Sequence, residues 1–261
     1  MIIDIHAHIF PDKLAKTAVG GIGRFYDKTL SCDGTAAALA DIGKKSGITK
    51  FAVHSAATTA HQVRRINDFL VSAAKEYPDE FIGFMTLHPD FKEIQTEIDR
   101  GISAGVKGIK LHPDFQKFRI DDRRVYPIYE AAQGRLPILF HMGDVRFSYS
   151  RPEYLLKVIA DFPKLKIIGA HFGGWSEWNR GAELLAEKNI WVDCSSARQW
   201  MQKEEFIALI NAFGSDKVLF GSDYPMWNPG DELKYIESLK LPSSELDKIL
   251  YKNAVQVLGL C

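Results

Sequence analysis

Read for apolar spacing, the chain alternates two patterns. Short runs rich in β-branched and aromatic residues, "IIDIHAHI", "TKFAVHS", "EFIGFMTLH", "VKGIKLH", "LPILFH", "KLKIIGAH", "NIWVDCSS" and "DKVLFGSD", recur along its length and read as eight strands. Between them, segments such as "QVRRINDFLVSAAKEY", "FKEIQTEIDRGISAG", "RRVYPIYEAAQ", "PEYLLKVIADF" and "EEFIALINAFG" carry apolar residues at helical spacing. A parallel strand needs a crossover of about a dozen residues or more, so strand alternating with helix predicts parallel pairing. Eight such units in 261 residues predict an α/β fold of the single-domain (β/α)8 TIM-barrel type over residues 1–261. An open doubly wound sheet fits less well, because no G-x-G-x-x-G follows the first strand and the units are similar in size. No linker or low-complexity segment divides the chain. The stretch 11–32, with its glycine-rich "VGGIGRFYDKTL", shows little periodicity and is expected to be a long first βα loop over the barrel mouth.

Composition narrows the partners. The 46% of hydrophobic residues suffices for one large core. Thirty-three basic residues balance thirty-three acidic ones, so no net positive surface is available to neutralise phosphates, and a nucleic-acid partner is not expected. The start of the chain lacks a basic n-region followed by a long apolar stretch, and no run approaches the roughly 20 apolar residues of a membrane span. The expectation is a soluble cytoplasmic protein acting on a small molecule. Cys32, Cys194 and Cys261 are few and far apart, with no C-x-x-C pair, and are expected to be small buried thiols.

The chemistry lies at the ends of the strands. In a barrel of this kind the C-terminal strand ends converge on one site. Here His6 and His8 end strand 1, His54 strand 2, His88 strand 3, Lys110 and His112 strand 4, His141 strand 5, His171 strand 6, Asp193 strand 7 and Asp223 strand 8. Only His61 of the eight histidines falls outside that set. The i, i+2 spacing of His6 and His8 puts two imidazoles on one strand face, where both can approach one ion. His141 and Asp223 can complete the ring. Three nitrogens and one carboxylate leave room for a bound water whose pKa the metal lowers to about 7. His171 is then free as a general base, and Asp223 to shuttle a proton from that water. Taken singly, each histidine also reads as an ordinary hydrogen-bonded strand residue. Asp4 shares the alternation of His6 and His8 one layer deeper and is expected to support them, as is Asp193.

Lys110, His112, Arg146, Trp175, Tyr224 and Trp227 follow strands 4, 5, 6 and 8, where substrate-binding residues of a barrel reside. Phe115 lies among them. An arginine with aromatic neighbours suits a planar carboxylate, which guanidinium grips bidentately while rings cover the apolar body. The plain alternative is that the tryptophans pack loops on the rim, that Arg146 pairs with Asp144, and that Lys110 pairs with Asp193.

With these residues in place the chain resembles the amidohydrolase superfamily, and within it the amidohydrolase-2 branch of metal-dependent hydrolases and decarboxylases related to aminocarboxymuconate semialdehyde decarboxylase. The resemblance is carried by "IDIHAHIFP" at 3–11, "GVKGIKLHPDFQKFRIDDRRVYPIYEAA" at 105–132, "LPILFHMGD" at 136–144, "GAHFGGW" at 169–175, "LFGSDYP" at 219–225 and "ILYKNAVQVLGL" at 249–260. It implies that His6, His8, His141 and Asp223 hold one divalent metal, usually Zn2+ with Mn2+ as the other candidate, and that His171 and Asp223 are catalytic. In binuclear relatives a carboxylated strand-4 lysine bridges two metals, and "KLHP" around Lys110 resembles that context, but the branch implies a mononuclear site. It also implies a homodimer. Two reactions share this metal shell: attack of metal-bound water on an amide, ester or lactone, and loss of carbon dioxide from an aromatic or unsaturated acid. The short chain, without large insertions, favours the hydrolase as the first expectation. TatD-type deoxyribonucleases also begin with His-x-His, but resemble a different pattern, with a glutamate where Lys110 stands and "ETDSP" where this chain reads "GSDYP". A barrel that has lost its chemistry and serves as a binding protein is the remaining alternative.

Overall fold

The computed structural model describes residues 1–260. Eight parallel strands, β1 (Ile3–His8), β2 (Lys50–His54), β3 (Phe81–Thr86), β4 (Gly108–Leu111), β5 (Ile138–Phe140), β6 (Ile167–Gly169), β7 (Trp191–Asp193) and β8 (Val218–Leu219), pair in chain order. Each of the eight apolar runs contains one of them. The last strand returns to the first: Ile5 N donates to Phe220 O at 2.9 Å, Asp223 N to His6 O at 2.8 Å and His8 N to Tyr224 O at 2.6 Å. The expected single-domain TIM barrel is therefore the observed fold.

The crossovers are helical: α1 (Asp12–Tyr26), α2 (Ala36–Ser46), α3 (Val63–Glu76), α4 (Ile94–Ser103), α5 (Pro113–Gln116), α6 (Tyr126–Ala132), α7 (Pro152–Asp161), α8 (Trp178–Leu185), α9 (Lys203–Phe213), α10 (Pro229–Ser238), α11 (Ser243–Asp247) and α12 (Asn253–Leu258). Helix α3 buries Val63, Asn67, Leu70 and Ala73, the one-face spacing that laid it against the barrel in the sequence pattern. Two apolar layers result. One fills the space between strands and helices. The other fills the barrel, where Ile3, Ile5, Ala52, Phe84, Leu139 and Ile168 pack together and Val257 and Leu258 of α12 join them.

Three expectations need correction. Segment 11–32 is not an irregular loop, since most of it is the fifteen-residue α1. Its glycines weaken the intrinsic helix preference, but tertiary packing decides, and Asp27 ends the helix in the left-handed conformation with its N–H bonded to Gly23 O. The strand alternation of β1 also breaks, because its register against β2 shifts between Asp4 and Ala7. Ile3 and Ile5 thus enter the barrel interior, and Asp4 does not share a face with His6 and His8 by simple parity. Finally, Cys194 is buried but Cys32 is only half-buried, and neither is in a disulfide; Cys261 lies outside the described residues. Among those residues no helix is long and apolar enough to cross a membrane.

Candidate active site

His6, His8, His54, His112, His141 and His171 gather at the C-terminal end of the barrel as one chain of ring contacts. His88, two residues beyond the end of β3, stays outside and accepts a hydrogen bond from Asp90 N. Three donor atoms meet in the middle: His6 Nε2 lies 3.3 Å from His8 Nε2 and 3.3 Å from Asp223 Oδ1, and His8 Nε2 lies 3.6 Å from the same oxygen.

The hydrogen bonds assign the tautomers. Ser195 Oγ donates to Asp193 Oδ1 at 2.5 Å, leaving it to accept from His171 Nδ1 at 2.9 Å. His6 Nδ1 donates to Asp193 Oδ2 at 2.8 Å. Its Nε2 is therefore a lone pair, aimed at His8 and Asp223. Since His171 Nδ1 carries that ring's proton, the 3.1 Å contact between His171 Nε2 and His141 Nδ1 is donated by His141. His141 Nε2 is thus a second lone pair, buried and without a hydrogen-bond partner, 3.5 Å from Asp114 Oδ2.

Burial is the main cause of every pKa shift in the cluster. It pushes His6, His8, His54, His112 and His141 well below the ordinary imidazole value and His171 to about 4. It raises Asp223 to about 7 against the hydrogen bond from Ser196, raises Asp114 to about 7, and lowers Lys110 to about 8 against the pull of Asp193 and Asp223. Neutral imidazole is the form that binds metals.

The donors therefore fit a metal ion. Around a tetrahedral ion with ligands at about 2.0–2.2 Å, donors stand about 3.3–3.6 Å apart, which matches the three separations above. Lone pairs facing one another in the interior need a cation or proton between them. Lys110, wholly buried, donates its Nζ to His6 Nε2 at 2.9 Å. Among the described residues it forms no ion pair with Asp193. His171, Ser196 and Asp223 hold positive φ angles of 59°, 51° and 62°, backbone strain concentrated at the strand ends that carry the site.

Asp223, His141 and His171 open on a pocket walled by Tyr26, Trp175, Trp200 and Trp227, with Lys28 at its side. The ammonium of Lys28 sits 4.6 Å from the Trp200 ring and 5.5 Å from Trp227. Trp227 donates to Ser196 Oγ at 2.8 Å, and Ser196 to Asp223 Oδ2 at 2.7 Å. An adjoining cavity is lined by His8, His112, Phe115 and His141; the His112 ring lies flat between Phe115 and His141.

Of the residues expected at the substrate, Trp175, Trp227 and His112 line these cavities, and Lys110 lies beneath them. Arg146 and Tyr224 do not line them. Arg146 grips Asp144 through Nε and Nη2 at 2.9 and 2.7 Å and donates to Phe25 O at 2.7 Å, pinning the end of α1. The wholly buried Tyr224 accepts from Gly34 N at 3.0 Å through its hydroxyl. Its hydroxyl also donates to Asp33 Oδ1 at 3.3 Å, so it serves the connection between α1 and α2 and not the cavities. Tyr26, Lys28, Ser196 and Trp200 were missed. The first two lie in the stretch read as irregular, whereas Ser195 and Ser196 stand two and three residues after the strand-7 aspartate, within the run "NIWVDCSS", and could have been flagged.

Known proteins agree with this architecture. The family model described as amidohydrolase matches residues 3–260. A 2-amino-3-carboxymuconate-6-semialdehyde decarboxylase of Dictyostelium discoideum is 26% identical over 242 residues; the match takes in 75% of this chain and 66% of that enzyme, just under two thirds of its length. Among solved structures, an uncharacterized TIM-barrel protein of Bordetella bronchiseptica superposes with a TM-score of 0.79 at 20% identity, covering 99% of this chain and 98% of that one. A 5-carboxyvanillate decarboxylase of Novosphingobium aromaticivorans, complexed with manganese and a nitrobenzoic acid, superposes with a TM-score of 0.76 at 19% identity, covering 100% and 96%. At these identities the structures speak for the fold. With the family model running through every strand from β1 to β8, the chain belongs to the amidohydrolase family.

Proposed function

We propose that this protein is a metal-dependent, non-oxidative carboxy-lyase that removes carbon dioxide from a small aromatic or unsaturated carboxylic acid. The observation that carries the reading is the similarity to a curated decarboxylase in a chain whose three tetrahedrally spaced donors adjoin a small pocket walled by aromatic rings. The hydrolase, expected first from chain length, becomes the second reading. Chain length does not discriminate between them, because the donor set serves both reactions.

His6, His8 and Asp223 would hold the ion, with the unpartnered Nε2 of His141 as the further donor; nitrogen with carboxylate suits Zn2+ or Mn2+. When bound, the ion supplies Lewis-acid charge that anchors the substrate's acid group and stabilises negative charge as the bond breaks. The rest is the work of the chain. Tyr26, Trp175, Trp200 and Trp227 offer flat faces to an unsaturated body. Lys28 is the cation available to an anionic group. Removing carbon dioxide leaves a carbon that must gain a proton, and His171, which lines the pocket with Nε2 as its lone pair, can take up a proton from water or from an ionising group of the substrate and pass it to that carbon. Ser195 and Asp193 keep His171 in the tautomer that leaves Nε2 free to accept that proton.

The test is metal analysis followed by a substrate screen. The purified protein is expected to carry about one equivalent of Zn2+ or Mn2+ and to release carbon dioxide from hydroxybenzoic or enoic acids, with activity lost on chelation and restored by metal. Hydrolysis of esters, lactones or amides by metal-loaded protein that releases no carbon dioxide would reverse the order of the two readings.

A further inference from the structure

His54 has no role in the ligand set derived above, yet its surroundings demand one. It ends β2, and the parallel register pairs it directly with His8, so main-chain hydrogen bonding, not a chance rotamer, sets the two side chains together. The ring is wholly buried, and neither Nδ1 nor Nε2 has a hydrogen-bond partner. A neutral imidazole carries one N–H and one lone pair, and folded proteins rarely leave both unmatched in the interior.

The neighbours are imidazoles. His54 meets His8 edge-on, ring centres 4.3 Å apart and planes at 89°, and lies 5.1 Å from the His6 ring at 60°. One nitrogen from each of His6, His8 and His54 lies within 4.8 Å of the others. A ligated ion lies in the plane of each ring that binds it, so crossing planes can share an ion. The stacked pair His112 and His141, 4.0 Å apart with planes only 8° from parallel, cannot share one as placed. The nitrogens of the crossing rings of His6, His8 and His54, one from each within 4.8 Å of the others, are close enough for rotation of the His54 ring to bring its nitrogen toward a shared ion.

We propose that His54 is a nitrogen ligand of the metal centre, joining the ion of His6, His8 and Asp223 from the β2 side; this rests on a metal occupying that cluster. The added imidazole makes the shell nitrogen-rich, which favours Zn2+ and Co2+ over the oxygen-preferring Mn2+.

Cobalt alone is the probe. Metal-free full-length protein is loaded with one equivalent of Co2+, its visible spectrum recorded and its affinity measured by competition with a chelator, for wild type, His54→Gln, His54→Phe and the exposed control His61→Gln. Both His54 variants are expected to change the spectrum, to bind Co2+ about tenfold or more weakly and to lose preference for Zn2+ over Mn2+, with the control unchanged. Wild-type spectra and affinities in both His54 variants overturn the proposal and assign the ring to a buried water. Should both variants misfold, a crystal structure of the wild-type Co2+ protein decides. A His54 nitrogen about 2.0–2.2 Å from the ion supports ligation, and a ring bonded only to water rejects it. None of this needs turnover, so a failed carbon dioxide assay leaves the inference standing, whereas a protein that binds no Co2+ overturns both readings.

Discussion

Asp193 is where four of the cluster's hydrogen bonds meet. One oxygen accepts from His6 Nδ1, the other from Ser195 Oγ and from the backbone N–H groups of His171 and Ser195. It acts as the outer partner that keeps a metal-binding imidazole in its ligating tautomer. Asp193→Asn preserves size but places an amide N–H opposite His6 Nδ1, moving the ring proton to Nε2. We expect a correctly folded protein, by circular dichroism, whose affinity for Zn2+ or Mn2+ falls about 10- to 100-fold in chelator competition. The sequence marked Asp193 as a supporting residue from its place at a strand end. It could not show that His171 shares the same carboxylate through Ser195, because that link runs between side chains of different strands.

At the scale of elements, α1 decides the shape of the pocket. Its C-terminal turn brings Tyr26 over the mouth, and the chain then folds back so that Lys28 reaches Trp200 and Trp227. Gly23 permits this reversal. A Cβ there would stand 2.5 Å from Lys28 O and 3.3 Å from the Leu30 side chain, too close for either to remain in place. Alanine at an ordinary helical glycine gains about 0.5–1 kcal/mol. Gly23→Ala is expected to reverse that sign, lowering the melting temperature and raising KM for the proposed carboxylic acid substrate, while metal content stays at the wild-type level. Thermal unfolding and steady-state kinetics beside metal analysis check it. The helix itself was not legible because its glycines mimic loop composition. Strands and the long amphipathic helices were legible because each carries its burial pattern within its own ten or fifteen residues.

For the whole molecule, stability rests on filling the barrel below the site. Phe84 is wholly buried inside it, its ring against Gly108, where any Cβ would come within 2.5 Å. The helix α12 plugs the same end with Val257 and Leu258. Phe84→Ala removes the largest wedge of this layer and is expected to cost about 3–5 kcal/mol. Denaturant unfolding should show one transition moved to lower concentration, and a separate early loss of the metal site alone would argue against a single cooperative barrel.

By itself the sequence determined the eight units, their parallel order, and the assembly of His6, His8, His141, His171, Lys110, Asp193 and Asp223 at one end, since strand periodicity and barrel closure leave those strand ends nowhere else to go. The family resemblance rested on the same residues. Only the tertiary structure decided which atoms face one another. The register shift within β1 turned Ile3 and Ile5 into the barrel, Asp144 claimed Arg146, Gly34 claimed Tyr224, and the pairing of β2 with β1 set His54 beside His8. The reason is physical: burial alternates along a strand and is written locally, whereas hydrogen bonds and ion contacts between strands depend on ångström-scale register that no single segment encodes.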